Sequence, residues 1–136
     1  MQYTAEAVTD GNGRNGTVRT SEGLIDLQLG IPAEIGGAGG NVANPELLFA
    51  AGYSACFMSA LSTVARQNKV KLVDASVKAL VTIASGDDGF GLSVELVASM
   101  PGVEPDAGAT LLEGAHKKCP YSKAITGNIP VSIRQA

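Results

Sequence analysis

The order of patterned segments predicts an α+β fold: a strand-rich amino-terminal third, one long apolar helix, a hairpin, a shorter helix and a last strand. Three features carry that reading. Residues 44–68, NPELLFAAGYSACFMSALSTVARQN, are the most strongly helix-patterned stretch of the chain. Residues 75–85 and 90–99 alternate apolar and polar positions on either side of Gly86-Asp87-Asp88-Gly89, the pattern of a β-hairpin. Residues 105–118 return to helical spacing and stop before Pro120. Antiparallel sheet is therefore expected to carry the helices on one face, with the long helix buried at the centre.

Each element has a local cause. Residues 2–9 alternate weakly and run into Asp10-Gly11-Asn12-Gly13, which predicts a first strand and a turn. Gly13-Arg14-Asn15-Gly16 prolongs that turn, and residues 17–20 and 24–29 flank Ser21-Glu22-Gly23 as a hairpin. The glycine-rich stretch 35–40 has no Walker lysine and does not open a βαβ unit with dinucleotide spacing, so it reads as a connection. At the central helix Asn44 is a good N-cap, Pro45 gives up a donor that has no partner in a first turn, and Glu46 complements the positive helix end. From Leu47 to Val64 the apolar residues run almost all round, interrupted only by Gly, Ser and Thr, so protein is expected on every face.

In the second hairpin Val77, Ala79, Val81 and Ile83 share one face, and Leu92, Val94, Leu96 and Ala98 share it on the partner strand. Pro105 opens the second helix, Ala109, Leu112 and Ala115 with His116 form its apolar stripe, and Lys117 and Lys118 occupy its last turn. Gly127-Asn128 turns the chain into a last strand over 129–133. There is no repeat and no linker, so a single domain is expected over 1–136.

Composition narrows the function. A net charge of -3 with 45% hydrophobic residues is ordinary for a soluble domain, and the ten Lys and Arg are scattered, which gives no electrostatic footprint for nucleic acid. The amino terminus, MQYTAEAVTD, has neither the charged region nor the apolar core of a signal peptide. No uncharged apolar run reaches the roughly 20 residues that span a bilayer. A cytoplasmic protein that meets no membrane is expected, in which two cysteines are reactive or inert thiols rather than a permanent staple.

Those cysteines are the chemistry. Cys56 lies in the middle of the apolar helix, where a cysteine is commonly a small hydrophobe, and the residues alone leave packing and reactivity both open. Cys119 sits at a helix end between Lys117-Lys118 and a proline break. The lysines favour a thiolate there and the carboxyl end of the helix opposes it, so no net direction follows. A gap of 62 residues (119 − 56 − 1) is not CxxC spacing, and with one histidine it gives no metal-site pattern. His116 suits a Cys-His nucleophile poorly, because Cys119 is three residues on and beyond a helix break; a partly exposed structural histidine is expected. What the cysteine pair supports is a dithiol and disulfide cycle.

The segments GGAGGNVANPELLFAAGYSACF and AHKKCPYSKAITGNI together closely resemble the organic hydroperoxide resistance (Ohr) branch of the OsmC-like family, and the resemblance runs over essentially the whole chain. It implies a thiol peroxidase that reduces organic hydroperoxides, fatty acid hydroperoxides among them, as an intertwined homodimer. Cys56 in SACF matches the peroxidatic cysteine and Cys119 in CPYS the resolving one. Arg14 in GRNG and Glu46 in NPE match the catalytic arginine and its acidic partner. No tightly bound cofactor is implied; the resemblance suggests a lipoylated protein as the external dithiol reductant. Within the family the alternative is the OsmC branch proper, which CPYS and the short amino terminus disfavour. From another class, the alternative is a non-enzymatic redox-sensing dimer.

Chemistry agrees with those roles. A thiolate in an apolar helix needs a cation close by, which Arg14 supplies, and Glu46 holds the guanidinium by a bidentate pair. Glu46 and Cys56 are ten residues apart on one expected helix, about 15 Å of rise, so a straight helix does not bring them together. A second copy is the expected source of Glu46, with two central helices packed antiparallel about a two-fold axis and a composite site at each end. Phe49, Tyr53 and Tyr121 are candidate walls of an apolar peroxide pocket, and Phe57 fits ordinary core better. Two positions depart from the family pattern: Leu47 stands where glutamine commonly follows NPE, and Lys123 where asparagine commonly follows CPYS.

Overall fold

A computed structural model describes residues 1–136. The chain divides into two compact units, Met1–Leu48 and Phe49–Ala136. The division falls inside the first long helix.

The first unit is a small antiparallel sheet, β1 (Ala7–Asp10), β2 (Thr17–Thr20) and β3 (Asp26–Gln28), in the order β1-β2-β3. β1 starts later than its alternation suggests, because the ladder ends at Ala7 opposite Thr20 and residues before it have no strand to pair with. β3 is likewise shorter than the 24–29 expected. The Ser21-Glu22-Gly23 turn extends to Ile25, whose carbonyl accepts the Thr20 N–H at 2.9 Å and whose N–H reaches the Thr20 hydroxyl at 3.1 Å. The β1–β2 turn is closed by Gly16 N–H to Gly13 C=O at 2.8 Å, with Gly13 at φ 70°. A Cβ on Gly16 would sit 1.8 Å from the Asp10 carbonyl oxygen, so backbone would have to move. We expect Gly16→Ala to destabilise the protein by about 1–3 kcal/mol in denaturant unfolding and to disorder the turn that carries Arg14.

The helix α1 (Pro45–Gln67) begins as the sequence predicts, with the Leu47 N–H donating to Asn44 Oδ1 at 2.8 Å. After it, β4 (Ser76–Gly86) and β5 (Gly89–Ser99) form the expected hairpin, in a register that places Val77, Ala79, Val81 and Ile83 opposite Ala98, Leu96, Val94 and Leu92. α2 (Pro105–Lys118) also falls where its pattern puts it. Two elements differ. Pro120–Ile125 is a further short helix, α3, because a proline that ends one helix is equally suited to the first position of the next. The last strand, β6 (Val131–Gln135), starts two residues later than expected and pairs parallel to β5, so the second sheet, ordered β4-β5-β6, is mixed rather than purely antiparallel. α2 and α3 form the crossover that a parallel pair requires.

The core of this unit joins Tyr53, Phe57, Leu61 and Val64 of α1 to Leu96 and Ala98 of β5 and to Leu111 and Ala115 of α2. The sheet and α2 do not surround α1, however. Ala51, Ala55, Ser59 and Ser62 are exposed along one stripe, so the expectation that every face is covered does not hold for a single chain. By length and composition α1 is apolar enough to cross a membrane, with mean hydropathy 1.6 over 18 residues, which corrects the reading that no run qualifies. Its large side chains Tyr53, Phe57 and Leu61 point into the core instead, and all three are fully buried.

Candidate active site

Two groups of the expected site residues are assembled, one in each unit. In the second unit Cys119 is the hinge residue between two helices. Its N–H closes α2 on the Ala115 carbonyl at 2.8 Å, and its own carbonyl accepts the Lys123 N–H of α3 at 3.0 Å. With ψ at 122° it is extended, as a residue before proline must be. This turns the fully buried Cys119 side chain onto α1, and its Sγ donates to Cys56 Sγ at 3.3 Å. Both thiols are free in this structure. A disulfide between them needs the sulfurs to close to about 2.05 Å and an oxidant to take up two electrons.

The environment of Cys56 favours its neutral form. Burial pushes the thiol above its ordinary value; the Tyr121 backbone N–H, at the start of α3, opposes this, and the neighbouring Cys119 adds to the rise. Tyr53 shares the core with Cys119, Tyr121 adjoins Cys56 through its backbone, and both rings meet Phe49. Phe49 meets Tyr53 edge-on with ring centroids 6.0 Å apart, and Tyr121 lies 6.1 Å from Phe49 and 5.9 Å from Tyr53. Tyr121 is the exposed member and Tyr53 the buried one, with Phe49 between. Tyr121 packs on the backbone of Gly52, where a Cβ would come within 2.8 Å of its hydroxyl. Phe57 is fully buried core.

Two contributors escaped the sequence reading. Ser122 is completely buried and shares a 2.7 Å hydrogen bond with the Tyr53 hydroxyl, which ties α3 to α1 one turn from Cys119. Gly52 makes room for Tyr121. A helix after Pro120 is the signal that would have found Ser122, since it turns CPYS from a loop into a first turn. His116 is half-buried, its Nδ1 has no hydrogen-bond partner, and it makes no bond to either thiol. No group of three His, Cys, Asp or Glu side chains is placed to hold a metal ion.

In the first unit Arg14 and Glu46 form the bidentate pair expected of them, Nη1 to Oε2 at 2.9 Å and Nη2 to Oε1 at 2.7 Å. The Gly13–Gly16 turn presents Arg14. The first turn of α1 presents Glu46, whose side chain is 11% exposed against 38% for the arginine. The Arg14 hydrogen bonds hold the Glu46 carboxylate below its ordinary value, with burial opposing, and the same pair raises the Arg14 guanidinium above its own. Glu46 therefore fixes the guanidinium in one orientation without discharging it.

An α+β fold in which two distant cysteines are brought to 3.3 Å beside aromatic rings defines a paired-thiol protein. Residues 37–134 match the family model described as OsmC-like protein. The organic hydroperoxide resistance protein of Xanthomonas axonopodis pv. citri is 46% identical over 135 residues, covering 98% of this chain and 94% of that one. The crystal structure of an organic hydroperoxide resistance protein from Legionella pneumophila superposes with a TM-score of 0.92 at 42% identity, covering 100% of this chain and 98% of that one. The organic hydroperoxide resistance protein OhrB of Bacillus subtilis gives 0.89 at 33% identity over 98% of each chain. The chain belongs to the OsmC-like family, in its organic hydroperoxide resistance branch.

Proposed function

We propose that this protein is a thiol-dependent peroxidase that reduces organic hydroperoxides, fatty acid hydroperoxides among them, to alcohols. The observation that carries the reading is the 3.3 Å approach of Cys119 Sγ to Cys56 Sγ; Tyr121, whose backbone N–H reaches Cys56, lies 6.1 Å from Phe49, and the two rings suit a hydroperoxide tail. The Cys56 thiolate attacks one oxygen of the O–O bond. The alkoxide leaves and takes a proton as the alcohol, and Cys56 keeps the other oxygen as a sulfenic acid. Cys119 then attacks that sulfur, water leaves, and a Cys56–Cys119 disulfide forms before a second peroxide can oxidise Cys56 further. An external dithiol, in our reading a lipoylated protein, returns both thiols and leaves as its own disulfide.

Burial and Cys119 both raise the Cys56 thiol, so its thiolate needs a cation close by. Arg14, oriented by Glu46, is the group suited to supply it, and we assign it that role from a second copy of the chain. The exposed stripe of Ala51, Ala55, Ser59 and Ser62 on α1 suits close packing of two such helices in a homodimer. The protein then works in the cytoplasm, where dithiol reductants are available. Leu47, exposed at the start of α1, and Lys123, exposed on α3, bear on substrate and reductant preference rather than on the reaction.

The test is turnover. With cumene hydroperoxide and excess dihydrolipoamide the protein is expected to make one cumyl alcohol per dithiol consumed, over many cycles, and to lose two mass units per chain when the dithiol is withheld. A redox sensor without peroxidase activity would oxidise once and stop in the presence of dithiol, and that result would replace this reading.

A further inference from the structure

The structure contains a polar pair that the reaction above does not use. Tyr53 and Ser122 are both 0% exposed, and their hydroxyls are bonded at 2.7 Å in an otherwise apolar core. Packing does not require them: phenylalanine and alanine fill nearly the same space, and replacing both members of such a pair by apolar groups is close to neutral for stability. What a hydrogen bond adds is direction. Here it joins the middle of α1, three residues before Cys56, to α3, three residues after Cys119.

α3 has six residues, too few to be helical without tertiary support. It is held from several sides. The Thr126 hydroxyl bonds the Ser122 carbonyl at 2.6 Å, the Tyr121 ring rests on Gly52, the Tyr121 backbone N–H reaches the Cys56 thiol, and the Tyr53–Ser122 bond is a fully buried side-chain tether to α1. Because the Cys119 carbonyl caps α3 by accepting from Lys123, any rocking of α3 moves the Cys119 sulfur.

Resting on the peroxidase reading, we propose that the Tyr53–Ser122 hydrogen bond is a positioning element that sets the effective concentration of Cys119 at Cys56. Ser122 and the Tyr53 hydroxyl act through Cys119 on the second half of the cycle. In that step the Cys119 sulfur attacks the Cys56 sulfenic acid, the S–O bond breaks, the S–S bond forms, and hydroxide leaves as water with the proton Cys119 gives up. Effective concentration enters both the rate of this step and the dithiol–disulfide equilibrium, so both should respond to the same tether.

The experiment uses Ser122→Ala, Tyr53→Phe and the double variant, each first checked for a native melting transition. In stopped flow with cumene hydroperoxide, Ser122→Ala is expected to form the sulfenic acid at the wild-type rate. It should then close the disulfide about three- to tenfold more slowly, with a matching rise in the fraction of chains gaining 32 mass units. Against dithiothreitol its disulfide should be more easily reduced by the same factor, tenfold being about 30 mV. The double variant decides the cause. It leaves no unpaired hydroxyl, so if the single variants act through a damaged core it should close as fast as wild type, which overturns the proposal. Closure as slow as in the single variants supports it. Unchanged closure and potential in Ser122→Ala also overturn it. Failure of the peroxidase reading itself looks different: the wild type would oxidise at most once and make no further cumyl alcohol with dihydrolipoamide in excess.

Discussion

Cys56→Ser is expected to remove peroxide reduction altogether, a loss of at least about three orders of magnitude, whereas Cys119→Ser should still consume a first peroxide per chain. The difference follows from what each sulfur does. A serine hydroxyl in the Cys56 position does not ionise near neutral pH and is a poor nucleophile toward the O–O bond, so the first step has no substitute. In Cys119→Ser the attacking thiol is intact, and the sulfenic acid forms but finds no sulfur at 3.3 Å. Rapid-mixing mass spectrometry should then show a gain of 16 mass units that progresses to 32 with excess peroxide. Wild type should show a loss of two. Because Cys119 contributes to the upward push on the Cys56 thiol, its replacement should also ease ionisation of Cys56 slightly, so the first step should be no slower than in wild type. Equal peroxide consumption by Cys56→Ser and wild type would remove the assignment of Cys56 as the attacking residue.

The elements that local sequence dictates were legible; those set by long-range pairing were not. α1 announces itself through Asn44, Pro45 and a long apolar run, and the β4–β5 hairpin through an alternation, broken only at Leu80 and Val97, about a Gly-Asp-Asp-Gly turn. Both depend on residues within a few positions of one another. β6 has ordinary strand residues, but its parallel partner β5 is fixed by the crossover between them, which no window of sequence contains. α3 is hidden in the sequence because Pro120 is a stop signal for the preceding residue and a start signal for the following ones, and six residues carry too little periodicity to choose. The candidate site divides in the same way. Arg14 and Glu46 were named through their motifs and meet in a bidentate pair, as expected of a guanidinium held by a carboxylate. Ser122 has no charge, no aromatic ring and no periodic position, and its importance rests on a hydroxyl 69 positions away in sequence.

Arg14→Ala should lower kcat/KM at neutral pH on the order of a hundredfold and move the rise of rate with pH upward by about one to three pH units. The sign follows from the thiol. Attack requires the thiolate, so the rate climbs as pH passes through the Cys56 pKa; burial raises that pKa and a guanidinium alongside lowers it. Removing the cation leaves the raised value, so activity lost at neutral pH should partly return in alkali. Glu46→Gln should give a smaller loss, since the charge stays while its orientation is released. The same pair carries the test of where the charge comes from. Arg14→Ala and Cys56→Ser chains, the first nearly inactive by itself at neutral pH and the second inactive, can be co-expressed with different tags and purified as the mixed dimer. If Arg14 serves Cys56 of its own chain, neither half of that dimer has both groups and it stays inactive. If Arg14 serves Cys56 of the partner subunit, one of the two sites is whole, and the mixed dimer should recover about half the wild-type rate per dimer. Recovery fixes the composite site; an inactive mixed dimer of normal stability rules it out and returns the cation to the same chain.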